Sequence, residues 1–373
     1  MEIVLSMTLG VTLLLIILVA KHLKENFANI FLISLLGLVA LGCTYVISLQ
    51  YINDSLDFVT AILNSIPALF GSLTYLYVKY SIFPHSKFKP SNFLHFVPFI
   101  LAIPLSFYDI RAQDISIVSV VLNVVVKVLV SIVYFILALK TLAIYRHDAQ
   151  NHFSNSDEID LKWLKFIVVI GLFSYLVYFV IMLFWMFNMA LDSRLEFYSN
   201  LLVFIFIIPI SYYGLTYTNV FARISAFSPD SRIQIVEAVD ATDAINDLKN
   251  GSRELISPEK ASQIFQELLL VMNTQKLYLN ENLMLEDLAR ELNQHSRYLS
   301  YVINAKAGKT FYDFINYFRV IEFNRKLTAS ENKNLTFLAI AFECGFGSKS
   351  SFNRAYKSEM GISPSEYLRK QVL

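Results

Sequence analysis

The chain contains one sequence unit twice, first as LMLEDLARELNQHSRYLSYVINAKAGKTFYDFI (residues 283–315) and again as NLTFLAIAFECGFGSKSSFNRAYKSEMGISPSEYL (residues 334–368). From Gly308 onward, matching residues lie at a constant offset of 53 positions. The matched pairs are Gly308/Gly361, Thr310/Ser363, Asp313/Glu366, Phe314/Tyr367 and Ile315/Leu368. The repeat predicts two similar helical modules in tandem.

Small residues and turn-forming residues in each copy have the spacing of a helix-turn-helix. Ala289 and Ala341 are small enough to let two helices cross closely. Asn293 and Gly345, four residues later, tolerate the left-handed backbone that a tight turn needs. Each copy therefore predicts a short helix, a turn and a second helix.

Helical periodicity divides the helix after each turn into a buried face and an open face. If these helices begin near Ser296 and Ser348, the inward positions are Leu299, Val302 and Ile303 in the first and Phe352, Ala355 and Tyr356 in the second. The open faces carry side chains that can reach base edges and phosphates in a major groove. The predicted DNA-binding residues are Ser296, Arg297, Ser300, Tyr301 and Asn304 in the first module and Ser348, Lys349, Asn353, Arg354 and Lys357 in the second.

These residues resemble the DNA-binding domain of AraC-type (AraC/XylS family) transcription regulators, in which a long helix joins two helix-turn-helix units. The second module carries the resemblance with Gly345-Phe346, Phe352-Asn353-Arg354, Tyr356-Lys357, Gly361, Ser363-Pro364 and Tyr367. The first module departs from the family pattern, because His295-Ser296 replaces a common serine-proline pair and Tyr301 replaces a common arginine. The resemblance implies sequence-specific binding to double-stranded DNA, and it covers only the last part of the chain.

The composition of the remainder is that of a membrane protein. Of the 373 residues 55% are hydrophobic and only 16% are charged, and the mean hydropathy is +0.51. Seven apolar segments are long enough, or nearly so, to cross a bilayer: Ile3–Ala20, Phe27–Gln50, Phe58–Tyr80, Asn92–Tyr108, Ile115–Leu139, Trp163–Phe187 and Phe197–Tyr217. The predicted fold is all-α, a seven-transmembrane-helix bundle followed by a cytoplasmic tandem helix-turn-helix domain.

Loop charge predicts the orientation of these segments. The loops after segments one, three and five carry Lys21, Lys24, Lys79, Lys87, Lys89, Lys140, Arg146, Lys162 and Lys165, whereas those after two, four and six carry only Arg111 and Arg194. Basic loops stay in the cytoplasm, so the amino terminus is expected outside and the DNA-binding domain inside. The expected location is the inner (cytoplasmic) membrane of a bacterial cell.

One charged side chain interrupts the apolar segments near the middle of the fifth. Lys127 lies four residues from Asn123, and no acidic residue at the centre of a segment offers a counter-ion. A lysine there costs about 2.5–3.5 kcal/mol on insertion scales, so it should face the bundle interior. Lys127 and Asn123 are therefore candidates for signal sensing, and the alternative is a purely structural role.

The predicted domains are a transmembrane domain at 1–221, a linker at 222–256 and the DNA-binding domain at 257–373. The linker is polar and includes Asn250-Gly251-Ser252. Ser257-Pro258-Glu259 then has the pattern of a helix N-terminus, with a cap, a first-turn proline and an acid.

An enzyme is not expected, because the six histidines are scattered and no metal-binding, phosphate-binding or nucleophile motif occurs. No cofactor or metal is predicted. Two hypotheses remain. The first is a membrane-bound transcription regulator that couples an external or membrane-borne signal, such as a small molecule, to promoter binding through segment seven and the linker, with a homodimer as a further expected partner. The alternative is a membrane receptor or carrier whose helical tail is a protein-interaction module.

Overall fold

The computed structural model describes residues 2–24, 26–48, 57–83, 86–111, 117–155, 161–186, 256–328 and 336–371. Every regular element among them is a helix, and they divide into two compact units. The N-terminal unit contains the described residues from 2 to 143 and from 162 to 186. The C-terminal unit contains 144–155, 161 and the described residues from 256 onward.

The N-terminal unit consists of apolar helices. Its α-helices are α1 (Glu2–Ala20), α2 (Asn29–Ser48), α3 (Asp57–Ser65), α4 (Pro67–Ile82), α5 (Val97–Arg111), α6 (Ile117–Val124), α7 (Val130–Ala149, whose last residues belong to the C-terminal unit) and α8 (Lys162–Met186). A 3₁₀ helix at Pro90–Phe96 precedes α5, and a π-helical turn at Val125–Leu129 joins α6 to α7. Helix α1 packs against α2, α2 against α4, and α3 against α5.

Among the described residues, five helical stretches are long and apolar enough to cross a membrane, namely Asn29–Ser48, Asp57–Ile82, Pro90–Arg111, Val121–His147 and Lys162–Ile181. They correspond to predicted segments two to six. The apolar part of α1, Leu5–Ala20, is shorter than these five. The predicted seventh segment, Phe197–Tyr217, and nearly all of the predicted linker lie outside the described residues, so a count of seven stays a prediction.

Three of the five stretches are not continuous α-helices, and one of them, Pro90–Arg111, begins with the 3₁₀ helix at Pro90–Phe96. The third predicted segment breaks before Pro67, which lacks the backbone N–H that would continue the ladder. The fifth contains the π turn around Lys127. Helix α4 also approaches the start of α7 closely, since a Cβ on Gly71 would lie 2.6 Å from the Ser131 Cα. A small residue is needed there for the two backbones to meet.

The C-terminal unit contains seven further α-helices. They are α9 (Pro258–Gln275), α10 (Leu285–Glu291), α11 (Ser296–Ala307), α12 (Phe311–Thr328), α13 (Phe337–Glu343), α14 (Lys349–Met360) and α15 (Pro364–Gln371), with a 3₁₀ turn at Leu277–Leu279. Helix α9 begins as predicted, because the Ser257 side chain accepts a hydrogen bond from the Lys260 N–H at 3.4 Å.

Helix α12 joins two hydrophobic cores. Phe311, Phe314 and Ile315, near its start, pack with α9, α10 and α11. Val320 and Phe323, one to two turns further on, pack with α13 and α14. Because both cores contain residues of α12, each helix-turn-helix packs against this one helix.

The segment after α7 also belongs to the C-terminal unit. Phe153 and Met284 form an isolated antiparallel bridge, in which the Ser154 N–H donates to the Leu283 carbonyl and the Leu285 N–H to the His152 carbonyl. The sequence places residues 150–155 in a loop of the membrane domain and gives no sign of this contact.

Candidate nucleic-acid interface

The first module is α10, a turn and α11. Asn293 adopts the left-handed conformation that its residue type predicts, with φ of 50°. The Gln294 N–H closes the turn by donating to the Ala289 carbonyl at 2.8 Å. Helix α11 follows at Ser296, and no side chain caps its N-terminus, where His295 occupies the cap position.

The second module, α13, a turn and α14, has a stronger turn and cap. Gly345 has φ of 89°, and a Cβ there would lie 2.5 Å from the Tyr278 carbonyl oxygen, so only glycine fits. The Phe346 N–H donates to the Ala341 carbonyl at 3.2 Å. The Ser348 side chain caps α14 by accepting from the Ser351 N–H at 3.1 Å.

The structure separates the two faces of α11 and α14 as the periodicity predicts. All six residues predicted to point inward are buried: Leu299, Val302, Ile303, Phe352, Ala355 and Tyr356. Of the predicted DNA-binding residues, Arg297, Asn304, Lys349, Asn353, Arg354 and Lys357 are exposed, while Ser296, Ser300, Tyr301 and Ser348 are half-buried. Their contact with DNA stays a prediction.

The two modules differ in what their open faces offer. Tyr301 packs partly against the first core, and the Asn304 side chain donates to the Ser300 carbonyl at 3.0 Å. The second face presents Lys349, Arg354 and Lys357, all exposed and all basic. Basic side chains at this position favour contact with phosphates and guanine edges.

Ion pairs away from these faces join α14 to the segment after α11, and α12 to the segment after α9. The Lys309 ammonium, after α11, lies 2.6 Å from a carboxylate oxygen of Glu359 on α14. Buried Glu322 on α12 accepts from both Arg325 and Lys276, at 2.7 Å and 3.2 Å. Its hydrogen bonds with Arg325, opposed by burial and supported by Lys276, lower the pKa of Glu322 to about 2.

A buried arginine that the sequence analysis did not single out lies at the centre of the C-terminal unit. Arg319 is 1% exposed and donates to the carbonyls of Tyr278 and Asn280, each at 2.8 Å. It also donates to the carbonyl and hydroxyl of Ser154, at 2.9 Å and 3.0 Å. The sequence does indicate that Arg319 is buried, because it lies four residues from both Ile315 and Phe323, on the apolar side of α12.

In the N-terminal unit, both predicted sensing residues are buried and face a polar cluster. The Asn123 side chain donates to the Asp109 carboxylate at 2.7 Å, and Asp109 acts electrostatically on Lys127. Ser106 lies 3.5 Å from the Asn123 amide. Asp109, near the end of α5, is thus an acidic partner of Asn123, whereas the sequence offers no acidic residue at the centre of a segment.

Within the described ranges, no three His, Cys, Asp or Glu side chains are grouped as metal ligands. His152 instead pairs with Glu286, its Nδ1 lying 3.2 Å from a carboxylate oxygen.

A family model described as a helix-turn-helix domain matches residues 288–370. The match covers both modules and supports an AraC-type DNA-binding domain at this end of the chain. It indicates a DNA-binding transcription regulator and no enzyme family. No curated protein and no solved structure matches the chain.

Proposed function

We propose that this protein is a membrane-bound, sequence-specific transcription regulator. A seven-span bundle senses a membrane-borne or external signal, and the cytoplasmic tandem helix-turn-helix unit binds promoter DNA. The observation that carries the proposal is the pair of recognition helices whose apolar faces are buried and whose polar faces are open, in a chain whose described part also has five helical stretches apolar enough to span a bilayer. Such a chain can hold DNA next to a membrane.

The contact of residues 150–155 with the C-terminal unit supports the predicted topology. Two segments that touch lie on the same side of a membrane, so the loop after α7 and the helix-turn-helix unit share one side. Between this loop and the helix-turn-helix unit the chain passes through the apolar helix α8, which is one crossing. Two segments on the same side of a membrane are separated by an even number of crossings, so one more crossing is needed. Phe197–Tyr217 is the predicted segment that supplies it, which agrees with the count of seven and with the basic loops.

The polar cluster of Asp109, Asn123 and Lys127 is the proposed sensing site. Burying a charged side chain inside a helix bundle costs free energy. A bound polar ligand, or a change in the partners of the charged side chain, alters that cost. A signal acts only as far as it stabilises one arrangement over another, and a coupling of about 1–3 kcal/mol changes DNA occupancy about 5- to 150-fold. The π turn at Lys127 gives the bundle a local irregularity of the kind often found at functional sites.

The test is DNA binding by the full chain in lipid nanodiscs, with duplex DNA from the region upstream of its own coding sequence. We expect affinity to fall steeply with salt, since lysine and arginine contacts release counterions from DNA. Arg354→Ala should cost about 1–3 kcal/mol if the side chain reads a guanine. The matched control is Lys260→Ala, which removes one exposed charge from α9, outside both modules, and should leave affinity unchanged.

Two results would favour the protein-interaction alternative. One is the absence of salt-dependent binding across promoter fragments from the whole genome, and the other is an equal effect of both substitutions. Reporter fusions at Leu373 test the topology separately, because a tail outside the cell is incompatible with DNA binding.

A further inference from the structure

Residues 150–155, which we name the docking loop, are held to the rest of the C-terminal unit by backbone hydrogen bonds. Phe153 pairs with Met284, and two hydrogen bonds of 3.2 Å and 3.0 Å flank the pair. The carbonyl of Gln150 accepts from the Tyr312 N–H at 2.9 Å, at the first turn of α12, where backbone N–H groups have no partner within the helix. The loop therefore satisfies donors that the C-terminal unit leaves open.

Arg319 makes the docking loop part of the core. Two of its nitrogens reach Ser154, and its other acceptors are the carbonyls of Tyr278, Asn280 and Glu281 and the side-chain oxygen of Asn316. A buried guanidinium is costly unless its donors are paired, so removing the loop leaves part of that cost uncompensated. Burial lowers the pKa of Arg319 to about 10, which keeps it a cation at neutral pH.

The loop touches both modules as well as the helix between them. His152 pairs with Glu286 on α10 of the first module. The Asn155 amide lies 3.4 Å from the Glu281 carboxylate, and a Cβ on Gly347, the residue before the α14 cap, would lie 2.6 Å from that same amide. A single short segment thus meets the first module, α12 and the turn before the second recognition helix.

The docking loop is also continuous in the chain with the proposed sensing segment. Lys127 lies in the π turn that leads directly into α7, and α7 runs unbroken from Val130 to Ala149, the residue before the loop. The predicted linker of about 35 residues offers a second covalent route between the domains, but the docking loop is reached from Lys127 by one helix.

We infer that the docking loop is the element through which the membrane domain controls the arrangement of the two helix-turn-helix modules. The inference rests on the proposed function and names its regulation. Two recognition helices that read one duplex must meet grooves about 34 Å, one DNA turn, apart. A loop held by α10, by Arg319 and beside Gly347 fixes the modules in one arrangement, and its displacement releases that constraint.

Disulfide trapping in the full chain tests the docking itself. Phe153 and Met284 form the non-hydrogen-bonded type of antiparallel pair, with Cα atoms expected about 4.5 Å apart, within the range of a disulfide. Phe153→Cys with Met284→Cys should form a bond on mild oxidation in membrane vesicles, identified by peptide mass spectrometry. The control pair is His147→Cys with Met284→Cys, in which exposed His147 lies in the last turn of α7.

The native thiols should not interfere. Cys43 and Cys344 are both buried, and burial raises the pKa of Cys344 to about 12, so its thiol stays protonated and unreactive. If the 153/284 pair stays reduced, or forms no faster than the control, docking is refuted. This readout needs no DNA, so its failure is distinct from a failure of the proposed function.

A loop variant tests the control. Ser154→Pro removes the N–H that donates to Leu283 and the hydroxyl that binds Arg319. In nanodiscs, we expect about a 5- to 150-fold loss of affinity for the upstream duplex, the usual range of allosteric coupling. The oxidised 153/284 variant should bind as tightly as the wild-type chain. His152→Ala with Asn155→Ala removes only side-chain contacts and should give a smaller loss.

Hydrogen exchange of the α11 and α14 peptides checks that the modules of each variant remain folded. Wild-type affinity in folded Ser154→Pro would overturn the inference while leaving the proposed function intact. If wild-type chain binds no DNA, the proposed function and this regulation both fail, whatever the disulfide shows.

Discussion

The two helix-turn-helix modules have the same helices but different means of support. In the first, Asn293 makes the turn and α11 lacks a side-chain cap, while α9 and the docking loop add contacts around it. In the second, a glycine makes the turn and Ser348 caps the recognition helix. Both modules therefore receive contacts from outside the repeat, but the second module also has its own glycine turn and serine cap.

The open faces of the two recognition helices differ in their number of exposed basic residues. The first offers one exposed basic residue among its predicted DNA-binding positions, Arg297, and a tyrosine that packs partly on the core. The second offers Lys349, Arg354 and Lys357. We therefore expect the second module to supply more of the electrostatic affinity for DNA and the first module to be the one through which binding is regulated.

The largest expected effect separates the two turns. Gly345→Ala should destabilise the second module by about 2–5 kcal/mol, the sum of left-handed strain of about 1–2 kcal/mol and overpacking of about 1–3 kcal/mol against the Tyr278 carbonyl. Asn293→Ala should destabilise the first module by only about 1 kcal/mol, because alanine tolerates the left-handed backbone less well than asparagine does. Hydrogen exchange of the α11 and α14 peptides in the full chain measures both. Equal losses would contradict the comparison.

The next effect concerns the link between the modules. Ionised Glu322 stabilises the folded unit because its pKa falls from 4.5 to about 2, so its contribution is complete above pH 4.5 and is lost as the pH falls through about 2. The shift corresponds to about 3 kcal/mol. Glu322→Gln should destabilise α12 by up to this amount at pH 7.

The pH dependence provides the control for Glu322. The difference in hydrogen exchange between wild type and Glu322→Gln should narrow steadily from pH 5 toward pH 2, because the protonated carboxyl and the amide are both neutral. A difference that is constant over that interval would assign the effect to packing instead of charge.

The local features of this comparison could be read from the sequence, and the long-range ones could not. Asn293, Gly345 and the six inward positions follow from turn chemistry and helical periodicity, which depend only on near neighbours in the chain. Arg319 was visible as a misplaced charge on the apolar side of α12, but its partner Ser154 lies 165 residues away. No periodicity connects residues at such a separation.

The N-terminal unit shows the same limit. The apolar segments are recognisable by length and composition, and helices cover predicted segments one to six. The pairing of Asn123 with Asp109 depends on how α5 packs beside α6. The break before Pro67 has a local cause, whereas the π turn at Lys127 has no signature that the sequence analysis used.

A smaller effect distinguishes the two recognition-helix caps. Ser348→Ala should destabilise α14 by about 1 kcal/mol, the usual value of an N-cap hydrogen bond. His295→Ala should leave the start of α11 nearly unchanged, because the His295 side chain makes no cap hydrogen bond. The measurement is hydrogen exchange at the first turn of each helix. A similar loss in both would show that the modules do not differ in this respect.

The smallest expected effect tests whether the first face lacks a phosphate contact. Tyr301→Arg places a cation beside the duplex at the position where the family pattern has arginine, so the salt dependence of DNA binding should steepen by about 0.9 in log–log slope. The gain in affinity should stay below about 1 kcal/mol, since the half-buried ring also gives up packing against the first core. Tyr301→Phe keeps the ring without the charge and should leave the slope unchanged. If Tyr301→Arg also leaves the slope unchanged, the first module does not bring this position near a phosphate, and Arg297 is the remaining basic candidate on its open face.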